Sequence, residues 1–144
     1  MPTFAESCAL EITSLHGFFE HWFHGGFADR DSALERFSQV LAPGFAIVSP
    51  SGVVTHREPL IERLSAGYGA WAGDSPKGSI AVEAIDPRHV HGEVGLLTYI
   101  ERHRRPSGDT ARLSTVLMQR REGSPNGVWW LHLQETWMAG SGPR

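Results

Sequence analysis

Trp129-Trp130-Leu131-His132-Leu133-Gln134-Glu135-Thr136-Trp137 reads as one long strand close to the C-terminus. Period-two alternation places Trp129, Leu131, Leu133, Glu135 and Trp137 on one face and Trp130, His132, Gln134 and Thr136 on the other. One carboxylate, Glu135, interrupts the apolar face. A buried charge is costly unless it is paired, neutralised or turned toward a cavity, so the strand predicts a pocket beside Glu135. The mixed face is the predicted subunit interface, because Trp130 and its amphipathic neighbours suit a contact between copies better than bare solvent.

The preceding strand, 111–121, joins this one through a Gly123–Gly127 turn. Setting Arg112 opposite Trp137 places Ser114 against Glu135, Val116 against Leu133 and Met118 against Leu131. Apolar then meets apolar, as antiparallel pairing requires. Arg112 falls diagonal to Glu135, about 7–8 Å away between backbones and within reach of a long side chain. Two readings stay open. In one, Glu135 is a base or polar anchor in a pocket and Arg112 holds an anionic or carbonyl group. In the other, the two form a salt bridge at the sheet's end.

Upstream, Cys8, Ile12, Leu15, Phe19, Trp22 and Phe23 recur at helical spacing and predict a helix over 4–24, ended by Gly25-Gly26. Ser32 with Glu35 resembles a capping box opening a second helix, stopped at Pro43-Gly44. A short strand over 45–49 follows, then a Pro50-Ser51-Gly52 turn and a brief return over 53–55. Thr55 with Glu58, and Pro59 in the first turn, predict a third helix running to Trp71. The second half is strands: 80–85, broken at Asp86-Pro87, then 90–103, 111–121 and the last strand. Helices first and meandering strands after predict an α+β fold. Residues 1–139 form one domain, with a frayed tail at 140–144.

The chain has 144 residues, a net charge of -3 and 40% hydrophobic residues, values of an ordinary globular domain large enough for a real core. That charge gives no argument for nucleic acid or an anionic membrane. Arg102-His103-Arg104-Arg105 is a basic cluster, but Pro106-Ser107-Gly108-Asp109 follows, so it reads as a solvated hairpin tip. Cys8 is the single cysteine, which excludes an intrachain disulfide and a Cys-based zinc site; it is expected to fill core. The opening Met1-Pro2-Thr3-Phe4-Ala5-Glu6 lacks the basic and apolar regions of a signal peptide, and a cytoplasmic location is expected. No Gly-rich phosphate loop follows a strand, no Gly-x-Ser-x-Gly elbow occurs, and no cofactor is indicated. His21 with His24, and His89 and His91 with Glu93, are permissible ligand spacings, but neither supplies a fixed third ligand, so no metal site is assigned.

The order of elements, Ile47-Val48-Ser49-Pro50-Ser51-Gly52, Gln119-Arg120-Arg121-Glu122-Gly123 and the closing Trp130–Trp137 motif resemble the nuclear-transport-factor-2-like (NTF2-like) superfamily, most of all its SnoaL-like and ketosteroid-isomerase-like members. The resemblance implies a cone-shaped, curved antiparallel sheet with about three N-terminal helices on its concave face, a hydrophobic pocket between them, and a homodimer through the outer sheet face. It does not carry a reaction with it. Ketosteroid isomerases place a catalytic Asp before the Pro of the first strand, where this chain has Ser49. Their oxyanion donors fall at Phe19 and at Thr115 or Val116. A serine without its own base moves no proton at neutral pH. Steroid-type isomerisation is therefore not expected, and catalysis stays open.

Glu135 is the candidate catalytic group. Phe19, Trp22, Ser49, Tyr68, Tyr99, Arg112, Ser114 and Trp137 are the candidate ligand-binding residues. Tyr99 shares a face with Leu97 and Glu101. The first reading is a pocket for an apolar or ring-bearing small molecule, with lyase or isomerase chemistry through Glu135. The alternative is a non-catalytic dimeric ligand-binding or association module.

Overall fold

The computed structural model describes residues 1–142. Its elements are α1 (Phe4–Phe23), α2 (Arg30–Ser38), β1 (Leu41–Val48), β2 (Val54–His56), α3 (Arg57–Ala66), β3 (Ser79–His91), β4 (Val94–Arg105), β5 (Gly108–Arg120) and β6 (Val128–Trp137). The strands form one curved sheet in the order β2-β1-β6-β5-β4-β3. Neighbours are antiparallel except β1 and β6, which run parallel, so the sheet is mixed. The α+β class and the helices-then-sheet order match the sequence expectation.

The caps differ from those expected. The Thr3 side chain caps α1 by accepting from the Glu6 N–H at 3.1 Å. Asp29, not Ser32, caps α2, accepting from the Ser32 N–H. Thr55 does not cap α3: it lies in β2 opposite Ile47, and its hydroxyl oxygen accepts from Arg63 instead. Trp71 falls beyond α3 and stacks on Phe23 with ring centres 4.8 Å apart. The strand expected to break at Asp86-Pro87 continues to His91 through two register shifts. As the edge of the sheet, β3 tolerates a proline that a central strand would not.

The core lies between α1 and the concave face. Cys8, Ile12, Leu15 and Trp22 of α1 meet Leu97 of β4, Val116 and Met118 of β5, and Val128 and Trp130 of β6. Burial pushes the Cys8 thiol up to about 12, so it behaves as an inert filler.

The β5–β6 register matches the sequence reading from Arg112/Trp137 through Ser114/Glu135 to Val116/Leu133. It then departs. Leu117 pairs with His132 and Met118 with Trp130, leaving Leu131 as the extra residue of a β-bulge. The bulge reverses the phase of the strand's first part. Trp130 therefore points inward and is 1% exposed, which corrects its expected place on the outer face. Trp129 turns outward instead, beneath the Arg121 guanidinium.

Trp130 closes a polar knot. Its indole N–H donates to Glu11 at 3.0 Å, Arg36 donates to both Glu11 oxygens, and Asn126 donates to one at 2.9 Å. Glu11 is wholly inaccessible, a buried carboxylate satisfied from α2, β6 and the β5–β6 turn.

Candidate functional site

Between α1, α3 and the concave sheet face lies a cavity of about 420 Å³. Leu15, Phe19, Phe23, Phe37, Leu41, Phe45, Ile47, Leu60, Leu64, Ile80 and Leu133 make its wall apolar. His16, Glu101, His103, Arg112 and Glu135 give it a polar floor. Ser49, Pro50, Thr55 and Arg63 also line it.

Alternation along β4 builds half of the floor. Gly95, Leu97, Tyr99 and Glu101 all point inward and are buried, and His103 is next in phase. Glu101 is a bridge: one oxygen meets His16 Nε2 at 2.8 Å and the other takes the His103 Nε2–H. His16 Nδ1 lies 2.7 Å from the Ile12 carbonyl oxygen, which can only accept. Both His16 nitrogens thus face acceptors, and the ring is held as an imidazolium. Burial opposes both charges, yet each raises the other's hold on its ionised form. Glu101 stays below the usual carboxylate range and His16 above the usual histidine value.

Facing strands supply the other half. Arg112 lies opposite Glu101 and reaches diagonally to Glu135, its Nη1 3.2 and 3.4 Å from the two carboxylate oxygens. The expected Arg112–Glu135 pair is present, and the Arg112 guanidinium also sits 5.3 Å over the Trp137 ring. Burial raises the Glu135 carboxyl; Arg112 opposes this and the nearby Glu101 charge adds to it. Two carboxyls on one floor are therefore shifted in opposite directions, Glu101 downward and Glu135 upward.

Of the candidate residues, Phe19, Ser49, Arg112 and Glu135 line the cavity. The Ser49 hydroxyl contacts Ser51 at 3.0 Å and accepts from the Val53 N–H, holding the β1–β2 turn. Tyr99 and Ser114 lie fully buried in the floor, and burial drives the Tyr99 hydroxyl well above its ordinary value. Trp22 and Tyr68 stand off the cavity. Trp22 is core, its indole donating to the Leu64 carbonyl, and the Tyr68 hydroxyl donates to Phe27 O. Trp137 reaches the site only through Arg112. Thr115 lies on the outer face opposite Gln134, while Val116 is buried in the core.

Two floor residues were not among the candidates. His16 lies on the buried stripe of α1, four residues after Ile12, which is its sequence signal. His103 sat in the basic run read as a hairpin tip. The strand extends through that run to Arg105, and the alternation from Glu101 carries His103 inward. Its neighbours pair outward or sideways: Arg102 with Glu83, and Arg105 with Asp74 and, 4.6 Å over its ring, Trp71. Among the described residues, no group of three or more His, Cys, Asp or Glu side chains could hold a metal ion. No helix among them is long and apolar enough to cross a membrane.

The closeness to known proteins lies in the fold. An NTF-2 like protein of unknown function from Pseudomonas aeruginosa superposes with a TM-score of 0.80 at 27% identity, over 92% of this chain and 98% of its own. The CamKII hub homology domain of Chlamydamonas reinhardtii gives 0.65 at 12% identity, over 91% and 98%. A putative ketosteroid isomerase from Shewanella frigidimarina gives 0.55 at 14%, over 74% and 84%. No curated protein matches the chain. Residues 8–139 match the family model for the sucrose-6-phosphate phosphohydrolase C-terminal region, and the chain belongs to that family, carrying the NTF2-like fold.

Proposed function

We propose that this protein binds a small, apolar, ring-bearing molecule in the cavity between α1, α3 and the sheet. The observation that supports this is the division of the cavity into an apolar wall and an ionic floor. Its volume of about 420 Å³ is that of a small-molecule site. Rings from α1, α2 and β1 suit a flat hydrocarbon body, and the floor can orient one polar group. The name of the matching family speaks of a sugar-phosphate phosphohydrolase. A dianionic sugar phosphate is a poor fit to these walls, since Phe19, Phe23, Phe37 and Phe45 offer it no hydrogen bonds.

Glu135 is the floor carboxyl best placed to exchange a proton, because burial shifts its ionisation upward whereas that of Glu101 is held down. The test is Glu135→Gln against a panel of bicyclic aromatic compounds, followed by ligand-observed NMR. Affinity is expected to change about tenfold, the value of one hydrogen bond to a charged group. The thermal midpoint should stay within about 3 °C, since the amide keeps the side chain's shape and an oxygen that still accepts from Arg112. A large loss of stability with unchanged affinity would make Glu135 structural.

A second reading, association through the outer sheet face, is favoured by one feature. Leu113 is 40% exposed there, in a shallow patch with Leu96, Leu117, His132 and Thr136. The Chlamydamonas neighbour is named as a hub homology domain. If this face joins two copies, Leu113→Asp should give monomers by light scattering while leaving the fold intact. An unchanged dimer would move the interface elsewhere.

A further inference from the structure

We infer that the cavity selects a flat aromatic ligand that donates a hydroxyl hydrogen, and that His103 Nδ1 receives it. This rests on the small-molecule reading above and names the ligand's polar group.

Hydrogen-bonding capacity is unevenly spread over the floor: the Tyr99 and Ser114 hydroxyls and Arg112 Nε have no partner, but all three are buried out of reach of a ligand. Both His16 nitrogens are engaged, by Ile12 and Glu101. Each Glu101 oxygen already holds a histidine. The two Glu135 oxygens share one donor, Arg112 Nη1, at 3.2 and 3.4 Å, which fixes that carboxyl's orientation and leaves it room for the ligand contact tested above. Arg63, at the cavity, donates one N–H to the Thr55 hydroxyl, and its remaining N–H groups, which can only donate, cannot receive a ligand's hydrogen. His103 differs. Its Nε2 faces the Glu101 carboxylate, which only accepts, so Nε2 carries a hydrogen; unlike His16, no second acceptor faces the other nitrogen, and in the neutral ring Nδ1 keeps a lone pair. Nδ1 has no protein partner and is not among the buried polar atoms left without one, so it is accessible at the cavity it lines.

The tautomer is enforced from behind. Glu101 is clamped by the His16 imidazolium, itself anchored to the α1 backbone at Ile12. The His103 ring is fixed edge-on against Trp71 at 5.8 Å between centres. His103 is therefore a binding residue, and Glu101 and His16 are positioning residues acting through it. At His103 a lone pair rather than a hydrogen faces the ligand, so a phenol or enol is matched there and an ether is not. The aromatic walls supply the affinity that both would share, which leaves the hydroxyl to set specificity.

The experiment compares 2-naphthol with 2-methoxynaphthalene by calorimetry on the full chain. Wild type should bind 2-naphthol about tenfold more tightly, the value of one hydrogen bond. His103→Phe should abolish that preference while 2-methoxynaphthalene binds within about twofold of wild type. His103→Gln, which keeps an acceptor, should restore part of it. Nitrogen-15 NMR should show His103 as the Nε2–H tautomer in wild type and a mixture of tautomers in Glu101→Gln. Equal binding of the two compounds to wild type, a preference that survives in His103→Phe, or an Nδ1–H tautomer each overturns the inference alone. Failure of both compounds to bind overturns the small-molecule reading and this inference with it.

Discussion

Glu101→Leu is expected to lower the thermal midpoint by on the order of 10 °C. Removing one member of a buried ion pair typically costs about 3–5 kcal/mol, because the other charge is left without compensation. His16 can shed its proton and so hold the loss toward the lower end, but its buried Nε2 is then left without its partner. Adding His16→Phe to Glu101→Leu should recover much of the loss, since apolar groups of similar size can replace a buried pair at little cost. A double variant no more stable than the single one would show that the pair is not the source.

The same pair sets a pH dependence. Glu101 is held below its ordinary 4.5, so its contribution is present above that pH and is lost as pH falls through the lowered value. His16 is raised above 6.5, so its contribution is complete below that pH and is lost as pH rises through the raised value. The midpoint difference between wild type and the double variant should thus be most favourable to wild type between pH 4.5 and 6.5. It should shrink on both sides. Denaturation followed by circular dichroism across that range is the measurement.

Trp130→Ala is expected to cost about 3–5 kcal/mol through the cavity left by a buried indole. It also withdraws one donor from Glu11, a carboxylate with no access to water. Trp130→Phe separates the two effects: it keeps most of the ring and loses only the N–H, so about 1.5–3 kcal/mol should go. Chemical denaturation of both variants gives the split. If Trp130 instead stood on the outer face, both changes would fall near zero in monomer stability and appear as dissociation of subunits.

That second outcome is what the sequence alone implied, and the reason it fails is local. Trp129 and Trp130 are alike in size and polarity, so nothing in their identity marks which points inward. The bulge at Leu131 carries no glycine or proline to announce it. Further along β6 the alternation of Leu133, Glu135 and Trp137 is unambiguous, and there the reading and the structure coincide. The Arg112–Glu135 pair was legible for that reason: register follows from hydrophobic matching, and two strands sufficed. His16 and His103 were harder. Their partnership needs α1 laid across β4, a contact 85 residues apart along the chain that no local pattern encodes. The floor was thus half visible, its strand–strand part readable and its helix–strand part not.

The extra residue at Leu131 also divides β6 into two separately indexed lengths. The stretch before it is tied to the Glu11 knot, and the stretch after it carries the cavity carboxyl. Excising Leu131 would leave one length in place only by turning the other inside out, driving either an indole into solvent or a carboxylate away from its arginine. In the first case Trp130 could not reach Glu11, and the first helix would lose its hydrogen bond to the last strand.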